Sequence, residues 1–264
     1  LAKTRPELQG NRELATTTLN ALNAAGMLLR SGDIITRLAQ SLPRQLPPTR
    51  VFVITCDRPA IVERLLDSIL RNVRLSEHNG FFLVDDSRES LNRDANREAV
   101  ARFNLRSAKN MCYVGVDAQQ ELLSGLTEKL PAHATGIRFL LDQSLWHEQK
   151  TYGRSRTLCL LLSVGYRALV MDDDILCEAI LPPITESGVG IGSGGMRKAS
   201  FYANEKEVLR SGRPADFDPL SAHASLLGST LGYALQKLNK GPLLESQLQH
   251  TNAALVNVLA ADSP

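Results

Sequence analysis

The spacing of apolar positions changes along the chain, and the changes outline its organisation. Between residues 12 and 42, Leu14, Leu19, Leu22 and Leu28 recur at roughly helical intervals. Gly32-Asp33 interrupts the pattern before "IITRLAQSL", so two helices are predicted there. "PRQLPP", residues 43–48, reads as a connector. From residue 50 the pattern alternates. "RVFVITC" (50–56) is short, apolar and β-branched, which predicts a strand, and "PAIVERLLDSILRNV" (59–73) is an amphipathic helix opened by Pro59. "GFFLVDDS" (80–87) predicts a second strand ending in acids, followed by a polar helix over 89–103. "NMCYVGV" (110–116) predicts a third strand and "AQQELLSGLTEKL" (118–130) another helix. "GIRFLLDQ" (136–143) predicts a fourth strand, and "GRSRTLCLLLSVG" (153–165) a helix closed by Gly165. "YRALVMDDD" (166–174) ends the series.

Strands alternating with helices imply crossover connections and a mostly parallel sheet covered on both faces. Ligands in such sheets bind beyond the carboxyl ends of the strands. Both acidic clusters, Asp85-Asp86 and Asp172-Asp173-Asp174, are expected at that edge and in one cleft. After Pro182 the regularity fades into the glycine-rich "ESGVGIGSGGM" (186–196). The tail over 222–259 reads as mainly helical, interrupted by "NKGP". The expected divisions are a helical lead and linker over 1–48, the α/β domain over 49–200, and a largely helical C-terminal part over 201–264.

Composition changes this picture little. The 264 residues are 43% hydrophobic and 22% charged with a formal net charge of +2, which gives no reason to expect nucleic acid or an anionic membrane as partner. No apolar run is long enough to cross a bilayer, and the first residues show no signal-peptide pattern. Cys56, Cys112, Cys159 and Cys177 are widely spaced without a CxxC pair, which argues against zinc and for buried, reduced thiols. A cytoplasmic location is expected from these features. The chain starts at Leu1 rather than Met, which leaves room for functional sequence beyond it.

Three adjacent carboxylates repel one another, and such a cluster persists when a cation compensates it. A D-x-D triplet leaving a strand presents Asp172 and Asp174 to one hard ion, Mn2+ or Mg2+, whose remaining positions go to water and phosphate oxygens. The bland alternative is a solvated turn or helix cap. For "LVDDS" the choice lies between a ligand-binding carboxylate and a capping Asp in a turn. "VITCDRP" brings Thr55 and Arg58 to the same mouth and contains no glycine, which disfavours a G-x-G-x-x-G dinucleotide fold. In "TYGRSRTLCLLL", Gly153 permits close backbone approach, and Arg154 or Arg156 stands at a helix start that suits phosphate.

Taken together, "VITCDRPAIVERLLDSIL", "FLVDDS", "GRSRTLCLLL" and "LVMDDDI" resemble the nucleotide-sugar domain of GT-A glycosyltransferases, particularly the inverting family 2-like enzymes. The likeness covers roughly residues 50–200, with Thr157 standing where that family usually has Asn. It implies a Rossmann-like GT-A fold, a nucleotide-sugar donor with UDP preferred, and an acceptor that is protein, glycan or lipid. On that likeness Thr55, Arg58 and Asp86 line the nucleoside pocket, supported by Asp85, and Arg156 meets the base or diphosphate. Asp172 approaches ribose or donor sugar and shares the metal with Asp174, Asp173 stands beside them, and Gly194 and Gly195 form the tight loop under the sugar.

Inverting transfer needs a carboxylate base. No Glu-Asp pair follows Asp174, so Asp216 and Asp218 in "RPADFDPL" are the substitutes, with His223 as a further metal or phosphate contact. A turn reading competes for that Pro-flanked segment. His147, beside Trp146, is a candidate for a loop that closes over donor. Two rival readings remain. One is a GT-A-like binding or scaffolding module without turnover. The other is a haloacid-dehalogenase-type phosphatase with Asp172 as nucleophile and Asp174 as acid/base, against which stands the lack of a later acidic pair.

Overall fold

A computed structural model describes residues 10–28, 32–33, 35–36, 45–146, 152–181 and 201–238. The apolar run after Pro48 becomes β1 (Thr49–Thr55), an inner strand with a strand on either side, buried on both faces because helices cover the sheet above and below. β2 (Gly80–Asp85) and β4 (Arg167–Asp172) pair with it in parallel, and β3 (Met111–Val114) pairs in parallel with β2. Among the described residues this sheet has the order β3-β2-β1-β4.

The alternation of side chains along β1 assigns each neighbouring helix its layer. Val51 and Val53 point into one core with Val62, Leu65 and Ile69 of α2 (Pro59–Asn72) and Ala99, Val100 and Phe103 of α3 (Ser90–Arg106). Phe52 and Ile54 point the other way. They pack with Leu123 of α4 (Val116–Lys129), Leu141 of α5 (Ala134–Leu141), and Leu158 and Cys159 of α6 (Tyr152–Leu162). The result is a three-layer, Rossmann-like α/β unit. Each fully buried large side chain adds about 1.5–3 kcal/mol, so the two cores are the main source of its stability.

One expected strand is a helix. "GIRFLLDQ" carries the aromatic and branched residues of a strand, but Ile137 and Leu141, four apart, turn together onto the sheet face while Phe139 and Leu140 stay exposed. That is helical periodicity, and it forms α5 between α4 and α6 on one side of the sheet. Gly165, at φ 80°, then turns the chain from α6 towards β4.

At the amino edge of the strands, Thr49 Oγ1 and His78 Nδ1 lie 2.8 Å apart. His78 is buried, its other ring nitrogen has no hydrogen-bond partner among the described residues, and burial lowers its pKa. Beyond β4 come the short antiparallel pair β5 (Ile180–Leu181) and β6 (Arg213–Pro214), with α7 (Glu205–Ser211) and α8 (Pro219–Leu226).

Residues 45–185 and 204–228 form this unit, so 204–228 belongs with the sheet rather than with a separate C-terminal part. A second unit includes α1 (Arg12–Ala24), capped by Asn11, and α9 (Leu231–Lys237), capped by Thr230. Of the second predicted N-terminal helix only residues 35–36 are described, and they are helical, as are 32–33 before them. Its remaining residues, the loop with Gly194 and Gly195, His147 and the tail beyond 238 lie outside the described residues. Among the described residues no helix is long and apolar enough to cross a membrane. The cysteines there are free: Cys159 and Cys177 are buried, with thiols pushed up to about 12 chiefly by burial. Cys56, just past β1, and Cys112, on the edge strand β3, are by contrast exposed.

Candidate functional site at the carboxyl edge of the sheet

Strand order reverses at β1: the chain runs outward through β2 and β3, then returns to place β4 on the other side of β1. A crevice opens at such a switch point because the connections leave in opposite directions. Register makes the strand ends level there, with Thr55 beside Asp85 and Ile54 beside Asp172. The crevice has a volume of about 480 Å³, and Thr55, Arg58, Asp86, Arg156, Asp172, Asp173 and Asp174 all line it. Asp86 of the first acidic cluster and all three aspartates of the second therefore meet in one cleft of ligand size, whereas Asp85 does not line it.

Within the triplet the three aspartates have different surroundings. Asp173 is 3% exposed. It accepts a 2.6 Å hydrogen bond from Thr55 Oγ1 and a 3.2 Å bond from Arg58 Nε, and a second guanidinium nitrogen of Arg58 also pairs with it. This pairing raises the pKa of Arg58. Asp174 Oδ2 lies 3.3 Å from Arg58 Nη2, and Asp172 Oδ1 lies 3.2 Å from Arg156 Nη2. Their side chains are 57% and 56% exposed.

The doublet after β2 is closed in. Asp85 accepts from Ser87 N at 2.8 Å, Asn96 Nδ2 at 3.0 Å and Tyr113 Oη at 2.8 Å. Burial, with the bond to Asp85 next, raises the Tyr113 pKa and keeps the phenol a donor. Asp86 accepts from Ser155 Oγ at 2.8 Å and pairs with the buried guanidinium of Arg154, which also binds Gln119 Oε1 and, at 2.7 Å, Leu141 O. Arg154 thus joins the β2 exit to α4, α5 and α6.

Asp57 links the two sides. Its backbone takes φ 55°, a conformation Asp tolerates better than most residues. Its carboxylate braces the turn that leads into α3, accepting from the N–H groups of Arg88 and Glu89 and from Asn92 Nδ2, all at 3.1 Å. Partial burial would raise its pKa, but these bonds prevail and hold the carboxyl below its usual range. Cys56 has its thiol pushed up to about 11 by desolvation and by the nearby carboxylates of Asp57 and Asp86.

The candidate bases fall elsewhere. Asp218 is 8% exposed and caps α8 through Leu220 N and Ser221 N, and it accepts from Arg74 N at 2.8 Å. Arg74 follows the end of α2, so Asp218 belongs to the amino edge of the sheet, opposite the cleft. Burial would raise its pKa, but bonds from Ser221, Arg74 and Leu220 hold it low, which leaves a poor proton acceptor. Asp216 is exposed in the preceding turn, His223 lies on α8, and neither lines the cleft. Competition from capping explains this: an Asp just before Pro at the first helical position is the side chain that satisfies free N–H groups.

Arg154 took the buried role for which the sequence offered two arginines. Arg154, Ser155 and Arg156 open α6, and one helical turn sends the first two to Asp86 and the third to Asp172. Arg88 and a neighbouring cleft of about 520 Å³, lined by Arg93, Gln119, Gln120, Trp146 and Arg154 among others, gave no motif. The only signal for Arg88 was its place directly after "LVDDS".

No group of three or more His, Cys, Asp or Glu disposed to hold a metal ion occurs among the described residues. Asp172 and Asp174 nevertheless form a pair of exposed carboxylates on one cleft. That donor set fits Mg2+ or Mn2+, which bind through one or two carboxylates and fill their shell with water and phosphate. The fold and site define an α/β protein with a cleft at its switch point that four aspartates and three arginines line. Compared with known proteins, the chain matches no family model, no curated protein and no solved structure.

Proposed function

We propose that this chain is a GT-A-type glycosyltransferase that moves a sugar from a nucleotide-diphosphate sugar, with UDP preferred, to a protein, glycan or lipid acceptor with inversion. The observation that supports it most is the convergence of the β1, β2 and β4 exits on one cleft that pairs two exposed carboxylates with two arginines. In this reading Asp172 and Asp174 hold Mn2+ or Mg2+. The ion, when bound, neutralises the diphosphate leaving group. Arg58 and Arg156 meet phosphate oxygens, Thr55 and Asp86 border the nucleoside, and buried Asp173 keeps Thr55 and Arg58 in position.

A second reading, a GT-A-like nucleotide-binding module without turnover, is favoured by one observation: neither Asp216 nor Asp218 lines the cleft. UDP with Mn2+ is expected to raise the melting temperature, and Asp174→Ala to abolish the rise. No rise with UDP, GDP or TDP rejects the donor reading. Hydrolysis of UDP-sugar by the same sample separates enzyme from module, and phosphate release from a small phosphomonoester would favour the phosphatase.

A further inference from the structure

The carboxylates leaving β4 have counter-ions supplied by the chain itself. Arg156 stands 3.2 Å from Asp172, and Arg58 stands 3.3 Å from Asp174 while also binding Asp173. Asp173 is buried, so its bonds belong to the fold. The pairs at Asp172 and Asp174 join side chains that are all between 45% and 57% exposed. Such pairs are weak and exchange readily with solvent and ions.

We propose that Arg58 and Arg156 form a counter-ion lock on Asp172 and Asp174, one that opens when a divalent cation and a nucleoside diphosphate arrive together. The proposal rests on the donor reading above and adds how that site is controlled. A cation arriving alone would have to displace two guanidinium groups and then remain beside their positive charges. A diphosphate alone would meet arginines already committed to carboxylates, with three aspartates behind them. Joint arrival lets both partners exchange: Asp172 and Asp174 turn to the metal, and Arg156 turns to phosphate oxygens through paired N–H donors. Arg58, still held by Asp173, releases Asp174 and offers its remaining N–H groups to phosphate. Metal and nucleotide must then strengthen each other's binding by the same factor. A monophosphate engages the two arginines less completely than a diphosphate, so UMP should couple to the metal more weakly than UDP.

Mn2+ binding to the full chain, read from the free-ion paramagnetic resonance signal, tests the lock without any activity assay. After correction for the Mn–UDP complex in solution, UDP is expected to lower the Mn2+ Kd by about tenfold, with a smaller effect from UMP. Arg156→Gln, at an exposed position, is expected to tighten Mn2+ binding without nucleotide about threefold and to shrink the UDP effect. Arg156→Lys restores charge without the fork and should recover part of the coupling. If Mn2+ and UDP both bind but independently, or if Arg156→Gln changes neither value, the lock is wrong while the donor reading stands. If wild-type chain binds neither Mn2+ nor UDP, even together, the donor reading fails and the lock with it.

Discussion

Asp85-Asp86 and Asp172-Asp173-Asp174 leave parallel strands at one edge of the sheet, yet their side chains have opposite relations to water. Asp85 and Asp86 are 2% and 3% exposed and are bound by side chains from α3, β3 and α6. Asp172 and Asp174 are more than half exposed and, among the described residues, their side chains meet only arginines that are themselves exposed. The difference comes from what lies beyond each strand. α3 and the first turn of α6 close over the exit of β2, whereas β4 is an edge strand among the described residues. A carboxylate under a helix becomes part of the framework, and one at an open edge stays free to exchange partners. Asp173 shows the rule within three residues: it turns inward to Thr55 and Arg58 and joins the framework class.

The largest test of this contrast is Arg154→Ala. It leaves Asp86 buried without its main counter-charge and should cost about 3–5 kcal/mol in urea unfolding. Asp86→Ala should cost a similar amount, and the double variant less than the sum, because the two residues are one unit. A loss under 1 kcal/mol for Arg154→Ala would place the doublet with the exchangeable class.

Asp57→Asn should come next, at about 1 kcal/mol, since it weakens three hydrogen bonds at the entry to α3 but keeps a side chain that tolerates positive φ. The wild-type carboxyl is held below its ordinary value of 3.8. Its contribution is therefore present above that value and lost as pH falls through the lower, folded-state pKa. Unfolding followed from pH 5 to pH 2 should show a shallower acid decline in the variant.

The smallest stability effect belongs to Asp174→Ala, expected within about 0.5 kcal/mol because the exposed pair with Arg58 contributes little. The same variant should lose the thermal response to UDP with Mn2+. A variant as destabilised as Arg154→Ala would show that the triplet is framework throughout.

Much of the layout was legible in the sequence. The apolar runs before "DRP", "DDS" and "DDD" mark three of the four strands, and their exits are the ends that line the cleft. "GIRFLLDQ" was misleading because strand-type residues also suit a half-buried helix, and only the sheet face beneath Ile137 and Leu141 decided between them. The choice between Arg154 and Arg156 was hidden for a similar reason. Two arginines two residues apart in a helix start are equivalent in one dimension, and the rotation of α6 sends one to the interior and the other to the rim.

The sequence by itself determined the alternation of elements, the placing of acids at strand ends and the want of a glycine-rich dinucleotide turn, since these follow from local periodicity and residue chemistry. Tertiary structure decided which acids are buried, which arginine pairs with which, and that Asp218 caps a helix at the far edge. Burial and partner choice depend on what packs beyond each strand end, and those neighbours come from distant parts of the chain.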